Sequence, residues 1–461
     1  MDISPASELE LTPAAPSAAA PPARSFWFLA SALAGGNVVS SVLRLAGGIL
    51  QARCVGPAVL GLFNKLGLVL GYAPFLQLGI LNGLNRELPY YIGKGEYQRV
   101  RELAAAAQAW ALLLSGVVGA GLCGLAGWYL VQGDLERAAG WATQALCALF
   151  LFYGTTYLQF TYRTAHDFAR LAMINVAQNA VALALVVLVA VLSFYGLCLR
   201  VVISVGLGTI LLHCWRPVRV GPKWNFRHWR HLLIIGLPIF GVGQLYVWWA
   251  VADQSLVAWW SGDAGMGLYQ MVVTAITTME LLPLAVSQVV YPRMAEQYAR
   301  TGRVEGLLGM TIKPMLLTAM GMVPLTIAAW WLVGPAMRIV VPDYVGAVPA
   351  MQWGLLVPFL SSFSPMNNVF NVAKRQGLYL GAILGGMGAY LASLCWLIRE
   401  EVDVPAFLHA LLTGGAGPAA ADPARVLTAF PQAMIAGRAV FMVLCYLFVW
   451  HLVRGPKSQL A

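Results

Sequence analysis

A polar stripe follows the first long apolar segment of this 461-residue chain and includes an arginine. Its members recur every three or four residues, so they share one helix face: Asn37, Ser41, Arg44, Gly48 and Gln51. Arg44 lies about 27 Å along a helix that starts at Phe26, inside the outer half of a bilayer. A guanidinium at that depth is costly unless it meets water or an anion, and its fork of donors fits phosphate oxygens. The stripe predicts a phosphate-binding cavity; outward snorkelling or a structural pair with an acid is the alternative.

Two acids of the second half fall inside apolar segments. Glu280 lies about 21 Å along a helix from Met266, near mid-membrane, on the face that carries Gln270 and Thr277. A carboxylate there is predicted to be a proton or cation coupling site, or the partner of a basic residue such as Arg44. Asp253 is predicted to be a second coupling acid or a contact for sugar, with structural pairing to Arg44 as the alternative.

Lys65 and three helix breakers complete the candidate residues. Lys65 lies about one turn inside the second apolar segment, where it can contact a substrate or reach the outer headgroups. Gly236, Pro238 and Pro365 interrupt otherwise helical segments, and each predicts either a hinge or a static kink.

Twelve apolar segments must position these residues, and each is long enough to cross a ~30 Å hydrocarbon core. Hydrophobic residues make up 59% of the chain and charged residues 10%, against roughly 25% charged in soluble domains. The segments are continuously apolar, which indicates helices and not a barrel. The predicted spans are 26–54, 61–86, 103–132, 139–161, 168–194, 197–215, 231–259, 266–291, 309–333, 345–371, 376–398 and 428–453.

Basic residues are concentrated in alternate loops, which predicts both termini in the cytoplasm. The loops on this side carry the larger set: Arg86, Lys94, Arg99, Arg101, Arg163, Arg170, Arg216, Arg219, Lys223, Arg227, Arg230, Arg293, Arg300, Arg303, Lys374, Arg375, Arg454 and Lys457. The opposite loops carry Arg137, Arg338, Arg399 and Arg425, with at most Arg53 and Arg438 in addition. The net charge of +10 is therefore a topology signal, and nucleic acid is not a predicted partner. The scattered cysteines and histidines predict neither a metal site nor a cofactor.

The two halves of the chain contain a repeat with an offset of 206 residues. Val-Gly-Pro-Ala-Val-Leu-Gly-Leu-Phe-Asn at 55–64 corresponds to Ser-Gly-Asp-Ala-Gly-Met-Gly-Leu-Tyr-Gln at 261–270. Six spans separate the copies, so both halves have the same orientation and are related by an axis along the membrane normal. A chance recurrence of glycine turns is the alternative. The predicted domains are a disordered segment 1–24, a first lobe 25–215, a basic linker 216–230, a second lobe 231–453 with a periplasmic insertion at 399–427, and a tail 454–461.

Residues 25–110 resemble the polysaccharide and oligosaccharide flippases, the O-antigen-type exporters of the MATE/MOP transporter superfamily. The resemblance rests on Gly-Pro-Ala-Val-Leu-Gly-Leu-Phe at 56–63 and Leu-Gly-Ile-Leu-Asn-Gly-Leu-Asn-Arg-Glu-Leu-Pro-Tyr-Tyr-Ile-Gly-Lys-Gly at 78–95. It implies an all-α polytopic protein of two six-helix bundles in the bacterial inner membrane. It also implies alternating access, a polyprenyl-diphosphate-linked oligosaccharide as cargo, and polymerase or assembly proteins as partners. The long outer segment 399–427 departs from the family.

Two other functions compete with the flippase. A drug exporter of the same fold would need buried acids in the first lobe, whose acids all fall in or beside loops. A membrane glycan ligase or polymerase would need catalytic groups in a large outer loop, and only 399–427 offers one, with Glu400, Glu401, Asp403, His409 and Asp422. The sequence favours the flippase and predicts no enzyme.

Overall fold

The computed structural model describes residues 23–165, 167–301, 304–373, 375–413 and 423–454, and this part of the chain is helical without any β-strand. Most of the predicted disordered segment and of the tail therefore lies outside the described residues. The helices of the first half are α1 (Ala23–Cys54), α2 (Pro57–Tyr72), α3 (Ile80–Gly93), α4 (Tyr97–Val131), α5 (Leu135–Leu149), α6 (Gln159–Thr164), α7 (Phe168–Ala184) and α8 (Val186–Cys214). Those of the second half are α9 (Phe226–Trp260), α10 (Gly262–Met279), α11 (Leu281–Thr301), α12 (Glu305–Val340), α13 (Val348–Gly354), α14 (Leu356–Ser361), α15 (Asn368–Val372), α16 (Gln376–Ile398), α17 (Val404–Thr413) and α18 (Pro423–Arg454).

Several predicted spans consist of more than one helix. A 3₁₀ turn, Ala73–Gln77, joins α2 to α3, and a π-helical segment, Phe150–Leu158, joins α5 to α6. The tenth predicted span is divided most, because α13, α14 and α15 are separate helices and a 3₁₀ turn at Ser364–Asn367 contains Pro365. The break predicted at this proline is therefore present.

Within the described ranges, eight helical segments are long and apolar enough to cross a membrane, and the bent helix α9 makes a ninth. Helices also occupy the other three predicted spans: α1 in 26–54, α5 with α6 in 139–161, and α7 in 168–194. None of these helices is both long enough and apolar enough to be counted with the nine. The protein is therefore a multi-span membrane protein, as predicted.

Three predicted boundaries differ from the structure. The fifth and sixth spans divide at Leu185 and not near residue 195, where the sequence predicted the division. A local irregularity does occur near the predicted position, because Ser193 inside α8 has a positive φ of 49°. The linker ends at Asn225, because its side chain caps α9 by accepting hydrogen bonds from the backbone N–H of Arg227 and His228. The outer segment 399–427 contains α17 and the start of α18.

Helix α9 belongs to both halves of the molecule. Its first turns place Trp229 and Leu232 in the apolar core of the first half, whereas Trp249 and Val257 lie in the core of the second half. Between these parts the helix bends by 70°, after Pro238. The packing therefore changes from one half to the other inside this helix, and not in the linker that the basic residues suggested.

Candidate functional site

The repeated glycines lie against each other where the two halves meet. A Cβ atom added to Gly61 would be 1.6 Å from the carbonyl oxygen of Asp263 and 2.7 Å from the backbone nitrogen of Gly267. One added to Gly267 would be 1.9 Å from the carbonyl oxygen of Pro57. Only glycine permits this approach of α2 to α10. The sequence repeat therefore marks a contact between the two lobes.

Polar contacts surround the glycine contact at the predicted outer end. The ammonium of Lys65 lies 3.0 Å from a carboxylate oxygen of Asp263, and both side chains are partly exposed. Tyr344 donates a hydrogen bond of 2.9 Å to the carbonyl oxygen of Val55. Lys65, predicted as a substrate contact or a snorkelling residue, thus forms an ion pair between the lobes.

The same interface continues toward the predicted inner end. A Cβ atom on Gly236 would be 1.9 Å from the carbonyl oxygen of Gly79, so this predicted hinge is also a site of close backbone approach. Further inward, His231 Nε2 lies 3.1 Å from a carboxylate oxygen of Glu87. Among the described residues, the partner of Glu87 is therefore a histidine of α9.

A cavity of about 490 Å³ lies between these contacts and is bounded by both lobes. The repeat supplies one amide from each copy, Asn64 and Gln270, and further polar groups come from Gln144, Thr155 and Gln254. The amide nitrogen of Asn64 is buried and has no hydrogen-bond partner among the described residues. No charged side chain is among the described residues that line the cavity.

Glu280 belongs to a charged cluster inside the second lobe. Its carboxylate accepts a 2.8 Å hydrogen bond from Ser361 and lies 3.8 Å from the guanidinium of Arg438. Arg438 also donates to the hydroxyl of Tyr246 and lies 4.8 Å from the centre of the Tyr246 ring and 5.7 Å from that of Trp249. Glu280 does have the basic partner that its depth predicted, but this partner is Arg438 and not Arg44.

Asp253 is enclosed in the second lobe and is only 1% exposed. Its two carboxylate oxygens accept hydrogen bonds from Tyr269 at 2.5 Å and from Tyr390 at 2.7 Å. It therefore links α9, α10 and α16. Among the described residues, the partners of Asp253 are these two tyrosines and not Arg44.

The residues of the polar stripe on α1 differ in their contacts. Arg44 is exposed, and no described residue forms an ion pair or hydrogen bond with it. Gln51 instead accepts a hydrogen bond from Arg200, which also donates to the carbonyl oxygen of Ala182 at 2.7 Å. The side chain of Asn37 lies outside the described residues. Arg200 thus holds α8 against α1 and α7.

Sequence reasoning missed Arg438. The loop charges included it only as a possible residue of the outer loops, but it lies in the interior of α18, and its side chain is 11% exposed. The available signal was a charged residue inside the apolar segment 428–453, the same signal that identified Glu280.

The comparisons with known proteins concern both sequence and fold. A family model described as "Polysaccharide biosynthesis protein" matches residues 110–341, half of the chain. The fold is similar to an outward-facing MATE family multidrug resistance transporter of the MOP superfamily, with a TM-score of 0.62 and 14% identity over 95% of this chain and 96% of that chain. An inward-facing transporter of that kind gives a TM-score of 0.64 and 13% identity over 91% and 96%.

A third solved structure is a MOP superfamily transporter from Pyrococcus furiosus, described as having a binding pocket of reverse polarity. It gives a TM-score of 0.57 and 14% identity over 93% of this chain and 96% of that chain. No curated protein matches the sequence. The two six-helix bundles predicted from the repeat are confirmed by these folds.

Proposed function

Since the chain belongs to the polysaccharide biosynthesis protein family and has the fold of MATE transporters, we propose that it is a flippase for lipid-linked glycans. It moves a polyprenyl-diphosphate-linked oligosaccharide, such as an O-antigen, capsule or exopolysaccharide repeat unit, from the cytoplasmic to the periplasmic leaflet of the bacterial inner membrane. Transport proceeds by alternating access of the two lobes. The observation that carries this proposal is the cavity lined by amides of both lobes.

Amide side chains suit sugars because each offers both donors and acceptors to hydroxyl groups. Asn64 and Gln270 occupy equivalent repeat positions in the two lobes. Movement of one lobe against the other changes the distance between these two amides, and therefore the affinity of the cavity for a bound glycan. A cationic drug would instead require carboxylates, and none is among the described lining residues. The cavity therefore favours the glycan over a small-molecule or drug exporter.

The charged residues have different proposed roles. Arg44, exposed on α1 and without a described partner, binds the diphosphate while the glycan occupies the cavity. Glu280 is the coupling residue, because it can exchange Arg438 for a proton or a cation as the lobes move. Lys65 is released from Asp263 when the outer end opens and then faces the departing cargo.

A membrane glycan ligase or polymerase is the remaining alternative. Its catalytic acids would have to come from the outer segment, where Glu401 and Glu400 lie 2.7 Å and 3.3 Å from the guanidinium of Arg425. Carboxylates held by an arginine join α18 to the end of α16. This arrangement supports a structural role for that segment and favours transport over catalysis.

Deletion of the gene is expected to leave lipid-linked glycan in the cytoplasmic leaflet, protected from a periplasmic glycosidase. Native protein should restore export, Arg44→Ala should not, and Arg44→Lys should restore part of it, because an ammonium lacks the two-donor fork. Protein levels in the membrane serve as the control. Full export by Arg44→Ala would remove this residue from the mechanism, whereas normal glycan display in the deletion strain would contradict the function itself.

The loop charges predict the orientation of this transport. Reporter fusions after Gly95, Trp224 and Gly302 should be active in the cytoplasm, and those after Gly133, Gly262 and Gly415 in the periplasm. Two reporter enzymes, one active only in the cytoplasm and the other only in the periplasm, measure the location of each fusion site. Reversed activity at two of the six sites would refute the predicted orientation.

A further inference from the structure

A second polar cavity, of about 290 Å³, lies outside the interface of the lobes at the predicted cytoplasmic end. It is formed by the first turns of α4 and by the linker, and three of its lining side chains are basic: Arg101, Arg219 and Lys223. It shares no lining residue with the cavity between the lobes. The transport site therefore does not account for it.

The positive charge of this cavity exceeds the negative charge that the protein supplies, because its lining contains three basic side chains and one acidic side chain. Glu102 is the acid in its lining, and its carboxylate is engaged by Gln98 at 3.0 Å and by His228 at 3.7 Å. No described carboxylate lies within ion-pair distance of the three basic side chains. Cations held close together repel one another unless solvent or an anion lies between them.

The linker is fixed against α4 and is not a free loop. The backbone N–H of Lys223 donates to the carbonyl oxygen of Ala105 at 3.1 Å. Just beyond the linker, the indole N–H of Trp229 donates to the carbonyl oxygen of Ala106 at 2.7 Å, and its ring packs against Trp110. Basic side chains on a fixed backbone lose less freedom when an anion binds, so the site is partly preorganised.

Two large aromatic residues beside the cavity face outward. Both residues follow Lys223 closely in the chain. Trp224 is 65% exposed and Phe226 is 76% exposed. Tryptophan side chains are enriched at the level of the lipid headgroups in membrane proteins. The cavity therefore lies where a phospholipid headgroup can reach it from the cytoplasmic leaflet.

We propose that this cavity binds the headgroup of an anionic phospholipid. The phosphate lies among Arg101, Arg219 and Lys223, and the acyl chains pass along Trp224 and Phe226. Basic pockets on the cytoplasmic side of helical membrane proteins are suited to such headgroups. The bound lipid contacts both the linker and α4. It therefore strengthens the attachment of the linker to α4 and stabilises the first lobe.

The test uses the purified full chain in nanodiscs of phosphatidylcholine, with and without phosphatidylglycerol. Phosphatidylglycerol is expected to raise the thermal transition of the native protein by about 3 °C or more. Arg219→Gln/Lys223→Gln should lose most of this increase. The matched control, Arg227→Gln/Arg230→Gln, removes two charges from exposed residues just beyond the linker and should keep it. An equal increase in both variants would overturn the proposal.

Two further measurements distinguish a lipid site from a site for free anions, and lipid binding from an effect on stability alone. Millimolar inorganic phosphate in phosphatidylcholine nanodiscs should produce no shift; a shift as large as that from phosphatidylglycerol would mean a site for free anions and would overturn the lipid assignment. Mass spectrometry of co-purified lipid tests binding without reference to stability. Arg101→Gln should retain roughly threefold less phosphatidylglycerol than the native protein, and unchanged retention would contradict the proposal.

Discussion

Replacing Arg438 with leucine is expected to abolish glycan export and to destabilise the second lobe by about 3–5 kcal/mol. The substitution leaves the carboxylate of Glu280 with Ser361 as its described partner and removes the contacts of the guanidinium with Tyr246 and Trp249. A buried charge without its counter-ion is costly. Export in the deletion strain and the thermal stability of the purified protein measure the two effects.

A double variant separates structure from transport. Arg438→Leu/Glu280→Gln removes both charges and should recover most of the stability while export remains absent. Glu280→Gln alone leaves the guanidinium of Arg438 without its carboxylate and should also lower stability. Tyr246 and Trp249 still contact the guanidinium, so the protein should remain folded while gradient-driven transport in vesicles stops. Arg399→Leu, at an exposed arginine near the end of α16, is the matched control and should export normally. Unchanged gradient dependence in Glu280→Gln would make this pair structural and would exclude it from coupling.

The second large effect is expected at the repeated glycines. Gly61→Ala places a methyl group where the carbonyl oxygen of Asp263 now lies, and Gly267→Ala does the same at Pro57. The outer ends of α2 and α10 must then separate, which biases the lobes away from the closed arrangement. A bias of about 1.4 kcal/mol changes a two-state population tenfold, and overlap with a backbone atom should exceed it. Export should therefore fall by at least roughly tenfold in either variant.

Labelling from outside the cell tests the direction of this change. With the native cysteines replaced, Asn64→Cys reports access to the cavity by a membrane-impermeant maleimide. Gly61→Ala should increase its labelling rate, whereas Gly56→Ala, where an added Cβ meets nothing within 4 Å, should leave it unchanged. Slower labelling in Gly61→Ala would show that the glycine contact does not close the outer end.

The sequence allowed the spans and the repeat to be predicted because both are local signals. An apolar segment shows its length directly, and two similar turns 206 residues apart show their relation without any structure. The contact between Gly61 and Gly267 then follows from the symmetry axis. The partners of buried charges do not follow in this way. Arg438 and Glu280 are far apart in the sequence and meet only through the packing of α18 against the second lobe.

The division between helices was also difficult to predict, for a physical reason. Breaks in the membrane depend on whether neighbouring helices can satisfy the freed backbone groups, which hydropathy does not report. The predicted break at Pro365 is present, but the separation of α7 from α8 at Leu185 has no proline or glycine beside it. The start of α9 was missed for the opposite reason, since its basic first turn is typical of a loop.

The sharing of α9 between the two halves has a consequence for how the protein is made. Trp229 and Leu232 belong to the apolar core of the first lobe, but they lie beyond the linker in the chain. During synthesis that core is incomplete when the sixth span has been inserted, and it closes only after the start of the seventh span has left the ribosome. The first lobe therefore completes its folding as the second begins to emerge. A fragment that ends at the linker would lack part of its own interior.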